Sequence, residues 1–306
     1  MSVFFYGLDF RRSSARNNST LVIYSSSKRK LQRHYMEYSL SSINAHFQTT
    51  FSLTGTILFI FHIIQIRRMK KVFLIQNSKY LDFLSEFGVG GAHPGGINLT
   101  KEIFKSEGVS SDSHILDVGC GTGQTAAYLA NNYEAKVTGL DINSIMVAKA
   151  KKRMKKGRLP VKIIQSSIEK VPIADQKFDF ILSESVLSFV NKPKALKEIY
   201  RLLKNNGRFI AIEFTISQQL EEQSEQEIKQ FYGFESCSMK KDWVALLKQA
   251  GFKNIRIQNN KSISSEPEFQ YSKDIEPELH EIMDKHYDMH IKYAGILDYR
   301  IYSCTK

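Results

Sequence analysis

Residues Ile115 to Gly123 read Ile-Leu-Asp-Val-Gly-Cys-Gly-Thr-Gly, so a short apolar run ends in an acid and meets three glycines at alternate positions. Glycine has no Cβ, so Gly119, Gly121 and Gly123 permit positive φ and let a bulky cofactor approach the backbone closely. A helix pattern begins at once. A second apolar run, 136–140, then ends at Asp141. This acid stands about one βαβ unit beyond the glycines, where a ribose hydroxyl needs an acceptor. The chemistry implied is the binding of a nucleoside-bearing cofactor at a strand–turn–helix junction.

The spacing differs from G-x-G-x-x-G, and the acid just before the first glycine is a further distinction. Leu116-Asp117-Val118-Gly119-Cys120-Gly121-Thr122-Gly123 resembles motif I of the class I S-adenosylmethionine-dependent methyltransferases. The likeness continues in order. Gly139-Leu140-Asp141-Ile142 resembles the end of strand two, and Lys177 to Ser183 resembles strand four. Leu202 to Glu213 resembles the L-K-x-G-G-x-L turn with strand five. The resemblance implies a Rossmann-like α/β fold: a seven-stranded, mostly parallel sheet, helices on both faces and a C-terminal antiparallel edge strand. It also implies S-adenosyl-L-methionine as cofactor.

That cofactor offers an amino-acid end, a ribose diol and an adenine, each needing a partner. Amides around Gly119, Cys120, Gly121 and Gly123 suit the amino-acid end. By resemblance Asp117 holds the turn and the cofactor's amine, and Asp141 accepts from both ribose hydroxyls. Ile142 packs on the adenine. Ser167 stands where the family usually has an acid for the adenine amino group, and Ile168 can offer a backbone amide. Ser183 and Glu184 are expected along the methionine end and the acceptor. Cys120 itself reads as a packing residue rather than a nucleophile.

Methyl transfer is an in-line displacement at an activated carbon, so the protein mainly positions the nucleophile. A base is needed only when the acceptor must lose a proton. His93, in the glycine-rich stretch before the core, is the foremost candidate, with Tyr80 and Glu184 beside it. His286 and His290 have i, i+4 spacing, as metal ligands can, but a partly buried helix face explains them better, and no metal is expected. Tyr232, Phe234 and Trp243 suit an apolar pocket wall or the core.

The stretch after strand four reads Ser183-Glu184-Ser185-Val186 rather than an Asn-Pro-Pro-Tyr tetrapeptide. This resembles the small-metabolite branch, similar to quinone and sterol methyltransferases, and the expected partner is a small-molecule methyl acceptor. Two alternatives stand beside it: an RNA or protein methyltransferase, and an inactive cofactor-binding protein that keeps the fold. An NAD-dependent dehydrogenase would need different glycine spacing.

The elements that must position these residues follow from hydrophobic periodicity. Helices are expected over 77–87 and 99–107, separated by a flexible stretch 88–96. Strands at 114–118, 136–140, 161–165, 178–183 and 207–213 alternate with helices at 123–132, 143–156 and 192–203, which predicts a parallel sheet covered on both faces. Helices over 218–231, 241–250 and 277–293 and strands at 254–258 and 298–304 complete the pattern. The basic end of helix 143–156 (Lys149, Lys151, Lys152, Arg153, Lys155, Lys156) reads as a solvated face.

The net charge of +12 resembles a nucleic-acid signal, but residues 1–68 carry nine Lys/Arg against two Asp/Glu, so more than half the excess lies outside the catalytic region. The segment 1–68 is read as an N-terminal extension. Its apolar run 51–66, followed by Arg67, Arg68, Lys70 and Lys71, is a candidate membrane contact. A targeting peptide or an over-extended start before Met69 are the other readings. The methyltransferase domain is expected over 69–306, with a lid at 77–107 and a core at 112–306. Three scattered cysteines fit a reducing cytoplasm, the alternative being a membrane-anchored enzyme facing it. Nothing in the sequence speaks to oligomeric state.

Overall fold

The computed structural model describes residues 78–259 and 266–306. The extension 1–68, with its apolar run 51–66, lies outside the described residues. Two helices lead, α1 (Lys79–Phe87) and α2 (Gly96–Phe104). The core alternates as β1 (His114–Val118), α3 (Gln124–Tyr133), β2 (Lys136–Asp141), α4 (Ser144–Gly157) and β3 (Lys162–Gln165). Then come β4 (Phe178–Glu184), α5 (Lys192–Leu202), β5 (Leu203–Ile216), α6 (Glu222–Tyr232), α7 (Lys240–Gln249), β6 (Lys253–Asn259), α8 (Glu281–Lys292) and β7 (Leu297–Thr305).

The strands form one sheet in the order β3-β2-β1-β4-β5-β7-β6. The first five are parallel, and β7 runs antiparallel to both β5 and β6. The C-terminal strand thus supplies the antiparallel closure, lying one place inside the rim strand β6. The order reverses between β1 and β4, where the helices that follow leave to opposite faces. A crevice therefore opens beyond the carboxyl ends of the strands. Register fixes what meets there: Val118 pairs with Leu140 on one side and Ser183 on the other, so the glycine turn, Asp141 and Glu184 stand side by side.

Alternation along β1 divides the core. Ile115 packs on one face with Leu99, Phe104 and Leu129, while Leu116 packs on the other with Leu196, Ile199 and Trp243. Burial of both faces explains the continuous apolar runs of the inner strands. A third cluster, from α1, α6 and α8, includes Tyr80, Phe83, Tyr232, Phe234, Ile282 and Met289. It reaches Phe214 near the end of β5.

The strand–helix alternation expected from periodicity is present throughout. Some boundaries move: α2 begins at Gly96 and ends at Phe104 rather than covering 99–107, and β5 starts directly at Leu203. The solvated reading of the basic helix is corrected for two residues. Lys149 Nζ donates to the carbonyls of Ser85 and Glu86 at 2.7 and 2.8 Å, satisfying carbonyls at the end of α1. Arg153 Nε donates to Thr122 O at 2.8 Å, and its Nη2 meets Glu268 Oε2 at 2.8 Å. Lys149 therefore ties α1 to α4, and Arg153 ties the glycine turn and Glu268 to α4. Lys151, Lys152, Lys155 and Lys156 are exposed as expected. Among the described residues no helix is long and apolar enough to cross a membrane.

Candidate active site

The glycine turn leaves β1 with Gly119, Gly121 and Gly123 at φ of 65°, 52° and 76°. The three glycines differ in what surrounds them. A Cβ on Gly119 would lie 2.3 Å from Val186 Cγ2, and one on Gly123 2.6 Å from Met154 Cε, whereas one on Gly121 meets nothing within 4 Å. Gly119 and Gly123 thus allow close packing inside the protein, and Gly121 faces open space. Cys120 Sγ turns away from that space: it would sit 2.9 Å from a Cβ on Gly139 of β2. Burial raises its thiol well above the usual range, with Asp117 and Asp141 adding to the effect. It is a packing residue, and only its backbone borders the turn.

Asp141 ends β2 and locks the turn from beneath. Its Oδ2 accepts from Gly121 N and its Oδ1 from Asn143 N, both at 2.8 Å. Burial raises its carboxyl, and the amides of Asn143, Gly121 and Ile142 pull it back. Each oxygen keeps a lone pair for a further donor. Next to it Ile142 is 67% exposed, unusual for so apolar a side chain. Asn143 caps α4 by accepting from Ile145 N and Met146 N.

Asp117 is buried, and its Oδ2 has no hydrogen-bond partner. Burial, then the neighbouring Glu184 and Asp141, hold its carboxyl well above the usual range, opposed only by the Ala126 amide. Glu184 closes β4 on the same face. Its Oε1 accepts from Thr100 Oγ1 of α2 at 2.5 Å and its Oε2 from Thr125 Oγ1 of α3 at 2.8 Å. His93 Nε2 lies 3.3 Å from Glu184 Oε2, and both side chains are buried. Neither ring nitrogen of His93 has a hydrogen-bond partner. The structure therefore brings His93 and Glu184 together from positions far apart in the chain.

Other expected residues lie elsewhere. Ser183 faces away from the crevice, because neighbours on a strand point to opposite sides. Its hydroxyl donates to Glu213 Oε1 at 2.9 Å, so the expected cofactor contact through this side chain is replaced. Tyr80 sits in the third cluster, 5.0 Å from the Tyr232 ring and 5.3 Å from that of His286, which gives it the packing role. The Ser167 hydroxyl accepts from Glu169 N at 3.2 Å, and the Ile168 side chain is core. The His286 and His290 rings meet edge to face with centroids 4.5 Å apart, and burial lowers them to about 3 and about 4. Among the described residues no group of three His, Cys, Asp or Glu is arranged to hold a metal.

Backbone hydrogen bonds join the stretch before α2 to a segment near the C-terminus. Gly90 N donates to Glu268 O at 2.7 Å, and Gln270 N to Phe87 O at 3.0 Å, so segment 266–272 lies against the stretch that carries His93. Glu268 Oε2 also accepts from Gln124 Nε2 at 3.0 Å, linking this strap to the first residue of α3.

Open space at Gly121, an unpartnered carboxylate oxygen on Asp117, free lone pairs on Asp141 and the bare Ile142 fit a cationic amino-acid end, a ribose and an adenine in that order. A family model described as a methyltransferase domain matches residues 109–254. The uncharacterized methyltransferase YodH of Bacillus subtilis is 36% identical over 233 residues, covering 75% of this chain and 100% of the relative. The chain belongs to the class I S-adenosylmethionine-dependent methyltransferases. S-Adenosylmethionine is the cofactor of this methyltransferase. The ubiquinone/menaquinone biosynthesis C-methyltransferase UbiE of Rickettsia felis is 32% identical over 179 residues, covering 56% of the methyltransferase and 68% of UbiE. The methyltransferase also shares its fold with phosphoethanolamine N-methyltransferase 2 of Haemonchus contortus, at TM-score 0.62 and 18% identity. It covers 57% of that chain, and the match takes in 75% of its own residues.

Thr100, Thr125, Glu213 and the Arg153–Glu268 tie were not singled out from sequence. Glu213 had a signal: an acid inside the apolar run Phe-Ile-Ala-Ile-Glu-Phe of an inner strand.

Proposed function

We propose that this methyltransferase methylates a small-molecule acceptor whose accepting atom gives up its proton to His93, with Glu184 orienting and balancing the imidazole. The observation that carries this reading is the buried His93–Glu184 contact of 3.3 Å beside the open face of the glycine turn. The cofactor supplies an activated methyl group on a sulfonium leaving group. The amides of the glycine turn, Asp117 and Asp141 hold it, with Ile142 under the adenine. Ile168 adds a backbone amide at the adenine edge, and Ser167, engaged with Glu169, contributes more weakly.

Glu184 is a carboxylate steadied by two hydroxyl donors from different helices. Its free lone pairs point the histidine and stabilise the imidazolium that forms when the proton arrives. The lid excludes water, which suits a small acceptor enclosed with the methyl donor. A relative named for quinone biosynthesis supports the small-molecule class. Two cationic residues of α4 are engaged within the protein, which weakens the case for a polyanionic acceptor. The three cysteines are unpaired, and the reading places the enzyme in the reducing cytoplasm.

The test begins with calorimetric titration of S-adenosylmethionine, followed by release of S-adenosylhomocysteine over a panel of amines, phenols, quinols and carbon acids. On the best acceptor His93→Gln should lower turnover by about 10²–10⁴-fold while cofactor affinity stays within about threefold. Unchanged turnover would remove His93 from the chemistry. Methylation of RNA or protein with a silent small-molecule panel would overturn the acceptor class.

A further inference from the structure

We infer that Glu213 is a positioning residue whose carboxylate clamps the turn carrying Glu184 against the floor of the cofactor crevice. The inference rests on the reading that Glu184 borders that crevice. Glu213 lies on β5 among Phe209, Ile210, Ala211 and Ile212, all buried, and is itself 0% exposed. Its Oε1 accepts three hydrogen bonds: from Ser183 Oγ at 2.9 Å, Val186 N at 3.2 Å and Leu187 N at 3.1 Å. These donors stand on either side of Glu184 and Ser185, so one oxygen grips both ends of the turn.

The turn needs holding. Ser185 has φ of 59°, a left-handed conformation that non-glycine residues keep only where the surroundings impose it. Ser185 N donates to Ile212 O at 2.7 Å, one residue before the clamp on β5. Immediately after it, Val186 presses on the glycine turn, with its Cγ2 2.3 Å from where a Cβ on Gly119 would be. Glu213 thus sets the spacing between the acid at the end of β4 and the glycines at the end of β1.

The charge on Glu213 is only partly compensated, by Lys192, which acts on it through space without a hydrogen bond. Its Oε2 has no hydrogen-bond partner. Lys192, which faces it from α5, donates instead to Ser236 O and Oγ at 2.8 and 2.6 Å. Arg300, opposite it across β7, is paired with Asp298, and Tyr302 shares its hydroxyl with Thr215 at 2.9 Å. Burial pushes Glu213 up to about 7, against the pull of Leu187 N, Ser183 Oγ, Val186 N and the Lys192 ammonium. A neutral residue would serve packing better. A buried acid that no cation bonds directly, and that grips a strained turn, points to a use for its charge. Charge-assisted hydrogen bonds hold the turn when Glu213 is ionised, and weaker ones when it is protonated.

The test uses the full chain and calorimetric titration with S-adenosylhomocysteine and, separately, S-adenosylmethionine at pH 6 and pH 8. An acid titrating near 7 falls from about nine-tenths ionised at pH 8 to about one-tenth at pH 6, so the wild type should bind both ligands about tenfold more weakly at pH 6 than at pH 8. Glu213→Gln should bind both about tenfold more weakly at pH 8 and show a correspondingly flatter pH dependence. This difference isolates Glu213 from Asp117, Asp141, Glu184 and His93. Ser183→Ala, which leaves the carboxylate in place and removes one donor, should weaken binding severalfold at pH 8 and serves if Glu213→Gln does not fold. Wild-type affinities in either variant at both pH values would overturn the inference. So would a loss confined to S-adenosylmethionine, which would mark a direct charge effect on the sulfonium. A wild type that binds neither ligand would instead sink the cofactor site itself.

Discussion

Replacing each motif I glycine by alanine should separate folding from binding, because the three sites differ in what a methyl group meets. All three hold positive φ, so each alanine pays a left-handed penalty of about 1–2 kcal/mol. For a domain of this size that is roughly 2–8 °C in Tm. At Gly121 nothing lies within 4 Å, so the penalty ends there. At Gly119 the new Cβ falls 2.3 Å from Val186 Cγ2, and overpacking adds about 1–3 kcal/mol. The order of Tm without ligand is therefore wild type, Gly121→Ala, Gly119→Ala. Ligand binding gives a different order. With S-adenosylhomocysteine at about 100 times the wild-type Kd, linkage stabilises the wild type by about 2.7 kcal/mol, or roughly 5–11 °C. The methyl of Gly121→Ala enters the crevice. A loss of about 100-fold in affinity would leave only about 0.4 kcal/mol and a shift of about 1 °C. Thermal unfolding with and without ligand, with calorimetric Kd values, reads both effects. If Gly121→Ala keeps the full ligand-induced shift, the open face is not the cofactor site. If it melts below Gly119→Ala, the packing argument is wrong.

Asp141→Asn keeps one acceptor oxygen but turns an amide toward Gly121 N or Asn143 N and removes the charge behind the ribose contacts. Loss of charge-assisted bonds worth about 1.5–3 kcal/mol should weaken cofactor binding by about 10–100-fold, and titration showing unchanged affinity would remove Asp141 from the ribose. Glu213 makes a prediction about stability. Its folded value of about 7 exceeds the ordinary 4.5, so its favourable contribution is complete below pH 4.5 and is lost as pH rises through 7. Wild type should therefore lose on the order of 3 kcal/mol relative to Glu213→Gln between pH 4.5 and pH 8. Denaturant unfolding at both pH values checks this, and parallel curves for the two proteins would contradict it.

The cofactor half of the site was legible because its constraints are local. Glycines at alternate positions after an apolar run, and an acid one βαβ unit later, announce a turn and its acceptor with no knowledge of tertiary contacts. The acceptor half depends on pairings that periodicity does not encode. His93 and Glu184 were each recognisable as reactive residues, but their meeting depends on how α2 and α3 place Thr100 and Thr125. Ser183 was assigned to the crevice beside Glu184, although strand alternation sends the two to opposite faces. Lys149 and Arg153, four residues apart, flank the buried stripe of Met146, Ala150 and Met154, and their long side chains reach over it to α1, the glycine turn and Glu268. Composition alone made them look solvated. Tyr80 follows the helical stripe of α1 into the aromatic cluster, as its apolar neighbours Phe83 and Phe87 do.

The strap paired with the stretch before α2 has a consequence for how the molecule is made. Gly90 and Glu268 pair across roughly 180 residues of chain, and Ser272 N reaches Glu86 O at 2.7 Å. A nascent polypeptide can complete motif I and β2 while its C-terminal region is still being synthesised. The stretch that holds His93 gains its long-range backbone partner, Glu268, only after that residue has emerged. The fold that closes over this stretch is thus completed only when the C-terminal segment, including β7 beside β5, has been made.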